Sequence, residues 1–318
     1  MTLETGDLTM AAPVRMGQPG PAQNGHNRFG LKGRSKKFDS RIVAIRPDLA
    51  DIAVAGEHFA PHYAAPMATS AIIPSAVMRA SPSLNAPQIS ELLYGEAFAL
   101  LDVTGGWAWG YSYADHHVGY IAIEALGSPI APSHRVMANE TILHSSADAS
   151  SGGSAILPRG ALLMGDVGAD NNAQFLAVAN GFVALSDVAE IDHWIADPAA
   201  IAEALVDAPY LAGGRTAKGM DAAGLVQLAW AAAGVSLPRT ADLQLAAIGP
   251  ENTITQADLK RGDLVFFSDH VAMMIDAENV IHASQHWQGV RRESLSDMIA
   301  RSTEKHQDQP ILAYKRLQ

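Results

Sequence analysis

An α+β fold is predicted for this chain by three observations. Between about residues 71 and 191, short β-rich runs alternate with turns in two successive stretches that share one plan. From Asp192 the pattern changes to a helix, a glycine-rich loop and a second helix. Beyond that, β-type runs separated by polar turns complete the chain, so helices precede an antiparallel sheet. With 318 residues and 48% hydrophobic content, two or three domains can each bury a core.

Residues 1–40 are rich in Gly, Pro, Gln and Asn and are expected to form a mobile arm. Its basic run, Leu31 to Lys37, is short and is read as a solvated segment. Residues 41–70 mix a strand-like run with a brief helical one and form a lead-in that packs on the β-rich stretch after it. In residues 71–130 the turns fall at Tyr94-Gly95, Gly105-Gly106 and Ala114-Asp115. Residues 131–192 repeat that plan, with a turn at Gly160, a polar turn at Ala169 to Asn172, and "GFV" at 181–183 where the first copy has "GYI" at 119–121. The pattern resembles tandem bacterial SH3-like domains, each a small β-barrel. Residues 193–318 form the last domain. Asp197 caps a helix with Pro198 at its first position, written "DPAAIAEALVDA". Asp221 caps the next helix, and Gly234 stops it. "GDLVFF", "HVAMMI" and "VIHAS" are strands with turns at Ser268-Asp269 and around Asp276 to Asn279.

A net charge of -11 opposes a nucleic-acid or anionic-membrane partner, since both need a concentrated basic surface. The N-terminus has no basic region leading into an apolar one, and no later run is long and apolar enough to span a bilayer. The expected location is therefore the cytoplasm. The chain has no cysteine, which removes disulfides and thiolate chemistry.

"YLAGGRTAKGMDAAGLVQLAWAAAG", "PRTADLQ", "LKRGDLVFF", "HVAMMI" and "IHAS" follow one another in the order and spacing of the NlpC/P60 family, papain-like cysteine peptidases of cell-wall peptides. The resemblance covers residues from about His193 to Arg316. It implies a C-terminal papain-like domain preceded by the two SH3-like barrels, no cofactor or metal, and a cell-wall peptide as ligand. It places Ala222 at the nucleophile's position, His270 at that of the general base and His282 at that of the residue orienting the base. Tyr210 matches a pocket tyrosine, and Asp221 an acid linked to the substrate's free amino end. Ala223 stands where serine is usual, and Ala212 where a large aromatic or apolar residue is usual.

The residue types answer to the chemistry. A thiolate at a helix N-terminus beside an imidazolium has a depressed pKa and attacks an amide carbonyl, while the N–H groups of the helix start hold the oxyanion. Ala222 lacks a lone pair, so this chain is expected to bind and not cut. It is compatible with a Cys→Ala variant of an active peptidase, of the γ-D-glutamyl-diamino acid endopeptidase class, and with a natural non-catalytic relative. The alternative is a regulatory protein whose degenerate cleft and SH3-like pair dock a partner.

Strand geometry adds a requirement. His270 and His282 share one face of an antiparallel pair only if opposed residue numbers sum to an even value, as with Ala272 opposite His282. The connection must then be odd in length or bulged. Other candidates are weaker. His58 and His62 have a zinc-compatible spacing, but Pro61 breaks the helix that would use it. His116 and His117 fall on a turn, where polar surface residues are expected. Met273 and Met274 are read as core filling.

Overall fold

The computed structural model describes residues 36–168, 174–306 and 310–317. The arm up to residue 35 and the turn at Ala169 to Asn172 lie outside the described residues. Lys36 to Gln318 form one compact unit.

The lead-in straps itself to the rest. Leu49–Asp51 pairs in parallel with His62–Ala64, Arg46 lies over the Trp109 ring at 4.3 Å, and Arg41 reaches Asp242 at 2.6 Å. His62 is exposed on its short strand, and the His58 ring meets Phe38 edge-on.

The first β-module is a seven-stranded antiparallel sheet ordered 88–93, 75–79, 118–122, 107–112, 97–104, 67–71, 126–127. It takes in Met67–Ala71, ahead of its expected start. Gly105 and Gly106 both have positive φ, which lets a two-residue turn match the twist of the strands it joins. Met78, Leu92, Phe98 and Ile121 fill its core.

The second module has a five-stranded sheet ordered 153–158, 140–144, 181–184, 175–178, 165–167 and a three-stranded one ordered 162–163, 134–136, 188–190. The two modules end in the same way. The strand bearing "GYI" runs into a 3-10 turn at Ile123–Ala125, and the strand bearing "GFV" into one at Leu185–Asp187. Ala122 and Ala184, which start these turns, share φ -58 with ψ 127 and 128.

In the C-terminal part, helix α1 covers Pro198–Glu203, α2 Ala222–Ala232, α3 Ala241–Ala247 and α4 Leu295–His306. Helix α1 is shorter than its sequence suggests, because the chain turns at Asp207 (φ 70) so that Asp207 and Ala208 exchange backbone hydrogen bonds with Val290 at the sheet edge. Pairing with the sheet satisfies groups that a longer helix would have used internally. In α2 Asp221 accepts from the Gly224 N–H, and the far end has Gly234 at φ 84 with Gly234 N–H bonding Ala231 O and Val235 N–H bonding Trp230 O, a complete Schellman stop.

The antiparallel sheet is ordered 253–254, 311–315, 264–267, 271–274, 279–284, 289–294. Alternation sends Leu264, Phe266, Met273 and Ile281 onto α2, and Val265, Phe267, Met274 and Val280 onto α4. Helix α2 is apolar nearly all round because it is covered on all sides, by the sheet, α1 and the first module. The sequence pattern did not reveal α3, α4 or the strands at 289–294 and 311–315. No helix among the described residues is long and apolar enough to cross a membrane.

Candidate active site

The site begins with a glycine loop that brings a helix start against the first module. Leu211 to Gly214 make a tight turn, and Gly213 has φ 76. A Cβ on Gly213 would lie 2.7 Å from the Gln88 carbonyl oxygen, so the close approach of loop and first module needs glycine there. The same turn points Ala212 into solvent, away from the cleft, which corrects its placement in the pocket.

Beside this loop lies a cleft of about 760 Å³, lined by Tyr210, Asp221, Ala222, Ala223, His270 and His282, with Ile89 from the first module and Met298 and Arg301 from α4. Tyr210, Asp221, Ala222, Ala223 and both histidines are thus brought together as expected. The first module closes on the cleft through Ile89; among the described residues, none of the second module lines it.

On the helix side, Ala222 is the first residue of α2 and is buried. Its N–H and that of Ala223 fall in the first turn, where no intrahelical acceptor exists and the helix dipole is positive. Asp221 is more heavily engaged than its sequence position suggests. Oδ1 accepts from Gly224 N–H and Arg239 Nη1, and Oδ2 from Gly213 N–H and Arg239 Nη2 at 2.8 Å. These four donors fill the carboxylate. Arg239, 1% exposed and itself part of the cleft lining, neutralises it. Burial and the adjacent Asp221 raise the pKa of the Tyr210 hydroxyl.

On the sheet side, Met273 opposes Ile281 and Met274 opposes Val280. One step further in that register stands Ala272 opposite His282, and residues 275–279 form an odd-length connection, as the shared face required. His270 Nε2 lies 2.7 Å from His282 Nδ1. His282, 2% exposed, has its Nε2 2.6 Å from Glu293 Oε1, off the line of an ideal hydrogen bond. Glu293 is in turn clamped by both terminal nitrogens of Arg301, with Nη1 at 2.7 Å from Oε2.

This row sets the protons. Burial raises the Glu293 pKa, but His282 and Arg301 overcome that and hold it at about 2, so the carboxylate can only accept. A proton therefore belongs on His282 Nε2, His282 Nδ1 accepts from His270 Nε2–H, and the lone pair of His270 is left on Nδ1. Burial, then the neighbouring His282, holds the His270 pKa well below the ordinary imidazole value, so His270 is neutral at pH 7.

Glu293, Arg301 and Arg239 were not legible as site residues in the sequence. Glu293 has a signal once the edge strand is known. His282 opposes Arg291, and Glu293 lies two residues further on the same face.

His117 corrects another expectation. His116 is exposed and stacks on Tyr111, whereas His117 is buried with neither ring nitrogen partnered. Its turn docks on α2: Gln227 Nε2 donates to Asp115 Oδ2 and Ser236 Oγ donates to Ala114 O. Burial lowers the His117 pKa to about 4.

Comparison with known proteins agrees with this architecture. The profile of the NlpC/P60 family matches residues 207–307, and that of the bacterial dipeptidyl-peptidase SH3 domain matches residues 78–126. Dipeptidyl-peptidase 6 of Lysinibacillus sphaericus is 34% identical over 89 residues, which is 28% of this chain and 32% of that enzyme. This chain thus spans about a third of the length of the curated relative it matches. The crystal structure of an NlpC/P60 family protein from Bacillus cereus superimposes with a TM-score of 0.64 at 15% identity, covering 79% of this chain and 99% of that one, a likeness of fold. Residues 207–307 thus carry an NlpC/P60 domain, and they follow a segment, residues 78–126, that matches the SH3 domain of bacterial dipeptidyl-peptidases.

Proposed function

We propose that the cleft binds short cell-wall peptides, of the L-Ala-γ-D-Glu-diamino acid type, and does not hydrolyse them. The observation that carries this reading is Ala222. It occupies the start of a buried helix, in one cleft with a His270–His282 pair whose protons are set for a base, yet it offers only a methyl group. Tyr210 and Asp221 mark the end that receives the peptide's amino group. Asp221 is already neutralised by Arg239, so it contributes an ordered dipole and modest affinity. Ile89 narrows the cleft, which favours short peptides. We read the second β-module as a second SH3-like domain, on its matching strand and 3-10 ending, with a packing role away from the cleft.

Calorimetric titration of the chain with L-Ala-γ-D-Glu-diaminopimelate should show saturable binding without turnover. Absence of both would favour partner docking, and turnover would show the nucleophile to be elsewhere. Ala222→Cys sharpens the test. A thiolate there gains the helix start and in turn favours protonation of His270, so the thiol pKa should fall below the roughly 8.5 of free cysteine and tripeptide cleavage should appear. Alkylation rate against pH, read beside cleavage, separates three results. A reactive thiol with turnover marks a disabled peptidase. A reactive thiol without turnover marks a repurposed cleft, in which the carbonyl is misplaced. An unactivated thiol would remove Ala222 and His270 from a common site.

A further inference from the structure

A second cavity, of about 350 Å³, lies on the other side of α2 from its start, where both β-modules meet the C-terminal part. Its body is aliphatic, with Leu93 and Leu162 from the modules facing Leu228, Val235 and Leu237. Half-exposed Trp194 and Tyr113 stand among its lining residues and mark the way in from solvent. Three guanidinium groups line it, those of Arg135, Arg159 and Arg215, against the single carboxylate of Glu96 among the described residues.

That carboxylate is fully committed. Glu96 takes both terminal nitrogens of Arg215 and also the Leu93 N–H. Arg135 and Arg159 form no ion pair among the described residues. Among the described residues Arg159, 9% exposed, is held only by the neutral Asn139 side-chain oxygen. Arg135 lies over the Trp194 ring at 4.6 Å, and its Nη1 is buried without any hydrogen-bond partner. Gln227 Oε1 is also buried and unpartnered, because its Nε2 is fixed by Asp115 and the Leu237 carbonyl. Burial lowers the pKa of both arginines. Buried positive charge without a counter-ion destabilises a fold, and a hollow of net positive sign in a chain of net charge -11 is a local exception. An anion in the hollow would complement this charge.

We propose that this cavity is a binding site for a small amphipathic carboxylate, its head on Arg135 and Arg159 and its apolar body along the α2 wall. A guanidinium already stacked on an aromatic ring is pre-organised for a carboxylate, and the volume suits a ligand of roughly ten heavy atoms. The site is separate from the Ala222 cleft and stands whether or not that cleft binds peptide.

Octanoate is the probe, with 1-octanol as its uncharged counterpart. Isothermal titration of the full chain should give one octanoate site at least about tenfold tighter than octanol, and octanoate should raise the thermal midpoint. Arg135→Met should remove the preference for octanoate over octanol without lowering stability, since it deletes an uncompensated charge and keeps the stem. A purely structural arginine would lose stability and leave the preference intact. Ala231→Leu, which narrows the cavity on α2, should weaken both probes. No saturable octanoate binding, equal binding of the two probes, or unchanged octanoate binding in a folded Arg135→Met/Arg159→Met double variant would each overturn the proposal.

Discussion

Two ion pairs leave the glycine loop before α2, one toward each β-module, and they differ in every respect that decides whether an ion pair matters. Arg215 meets Glu96 of the first module with Nη1 and Nη2 at 2.9 and 3.0 Å, and the two side chains are 5% and 10% exposed. Its Nη1 also donates to Glu91 O, and its backbone N–H to Glu91 Oε2. Lys218 meets Glu140 of the second module at 3.9 Å, with side chains 67% and 39% exposed. The first contact is a desolvated, fork-shaped lock; the second is a solvated meeting of charges. A few residues of one loop thus fasten one module into the cleft wall and merely brush the other.

The largest effect should come from breaking the lock. Arg215→Met strands the buried Glu96 carboxylate and takes the guanidinium from the Glu91 carbonyl, while Glu91 Oε2 keeps the backbone N–H of residue 215. Removing one partner of such a pair costs about 3–5 kcal/mol. Denaturant unfolding should show that loss, and adding Glu96→Met should recover part of it. A loss below about 1 kcal/mol would mean that water reaches the pair, and the contrast between the modules would collapse.

The same docking face carries a pH dependence. His117 is held neutral in the fold with its pKa at about 4, by burial foremost and against the pull of Asp115, with Arg239, Arg41 and Arg215 adding to the depression. In the unfolded chain it titrates near 6.5. The unfolded state therefore binds the extra proton between these values. Stability is full above about pH 6.5 and is lost as pH falls toward 4, by a few kcal/mol. His117→Phe should flatten that part of the stability profile and leave pH 8 nearly unchanged, because neither ring nitrogen has a partner to lose. An identical slope in the variant would assign the acid sensitivity to other groups.

How much of this is legible in the sequence depends on how local each cause is. The Asp221 cap and the Gly234 stop are written within a few residues of the events they control, and both can be read directly. The parity linking His270 to His282 is also legible, since a strand fixes its faces by counting. The partners of those groups are not. Glu293 reaches His282 only through an edge strand that pattern reading does not assign, and Arg301 through a helix after it. Arg239 sits eighteen positions from Asp221 across a turn, and nothing local marks it. His117 looks like surface because a turn of polar residues usually is; docking against α2 buries it. Ala212 differs in the opposite sense: it is exposed on the tight glycine turn and does not line the cleft.

The smallest effect belongs to the second module's ion pair. An exposed lysine must give up side-chain freedom to hold one geometry, and at 3.9 Å with both heads in water the attraction is largely screened. A double-mutant cycle of Lys218→Ala and Glu140→Ala should give a coupling of about 0.5 kcal/mol or less, falling further in high salt. The Arg215–Glu96 cycle run beside it should exceed that several-fold and respond little to salt, because its charges lie beyond the reach of the ionic atmosphere. The ratio of the two couplings measures the difference between the modules independently of total stability. A Lys218–Glu140 coupling above about 1 kcal/mol would mean that this exposed pair fastens the second module to the loop, and the contrast drawn between the two ion pairs would fail.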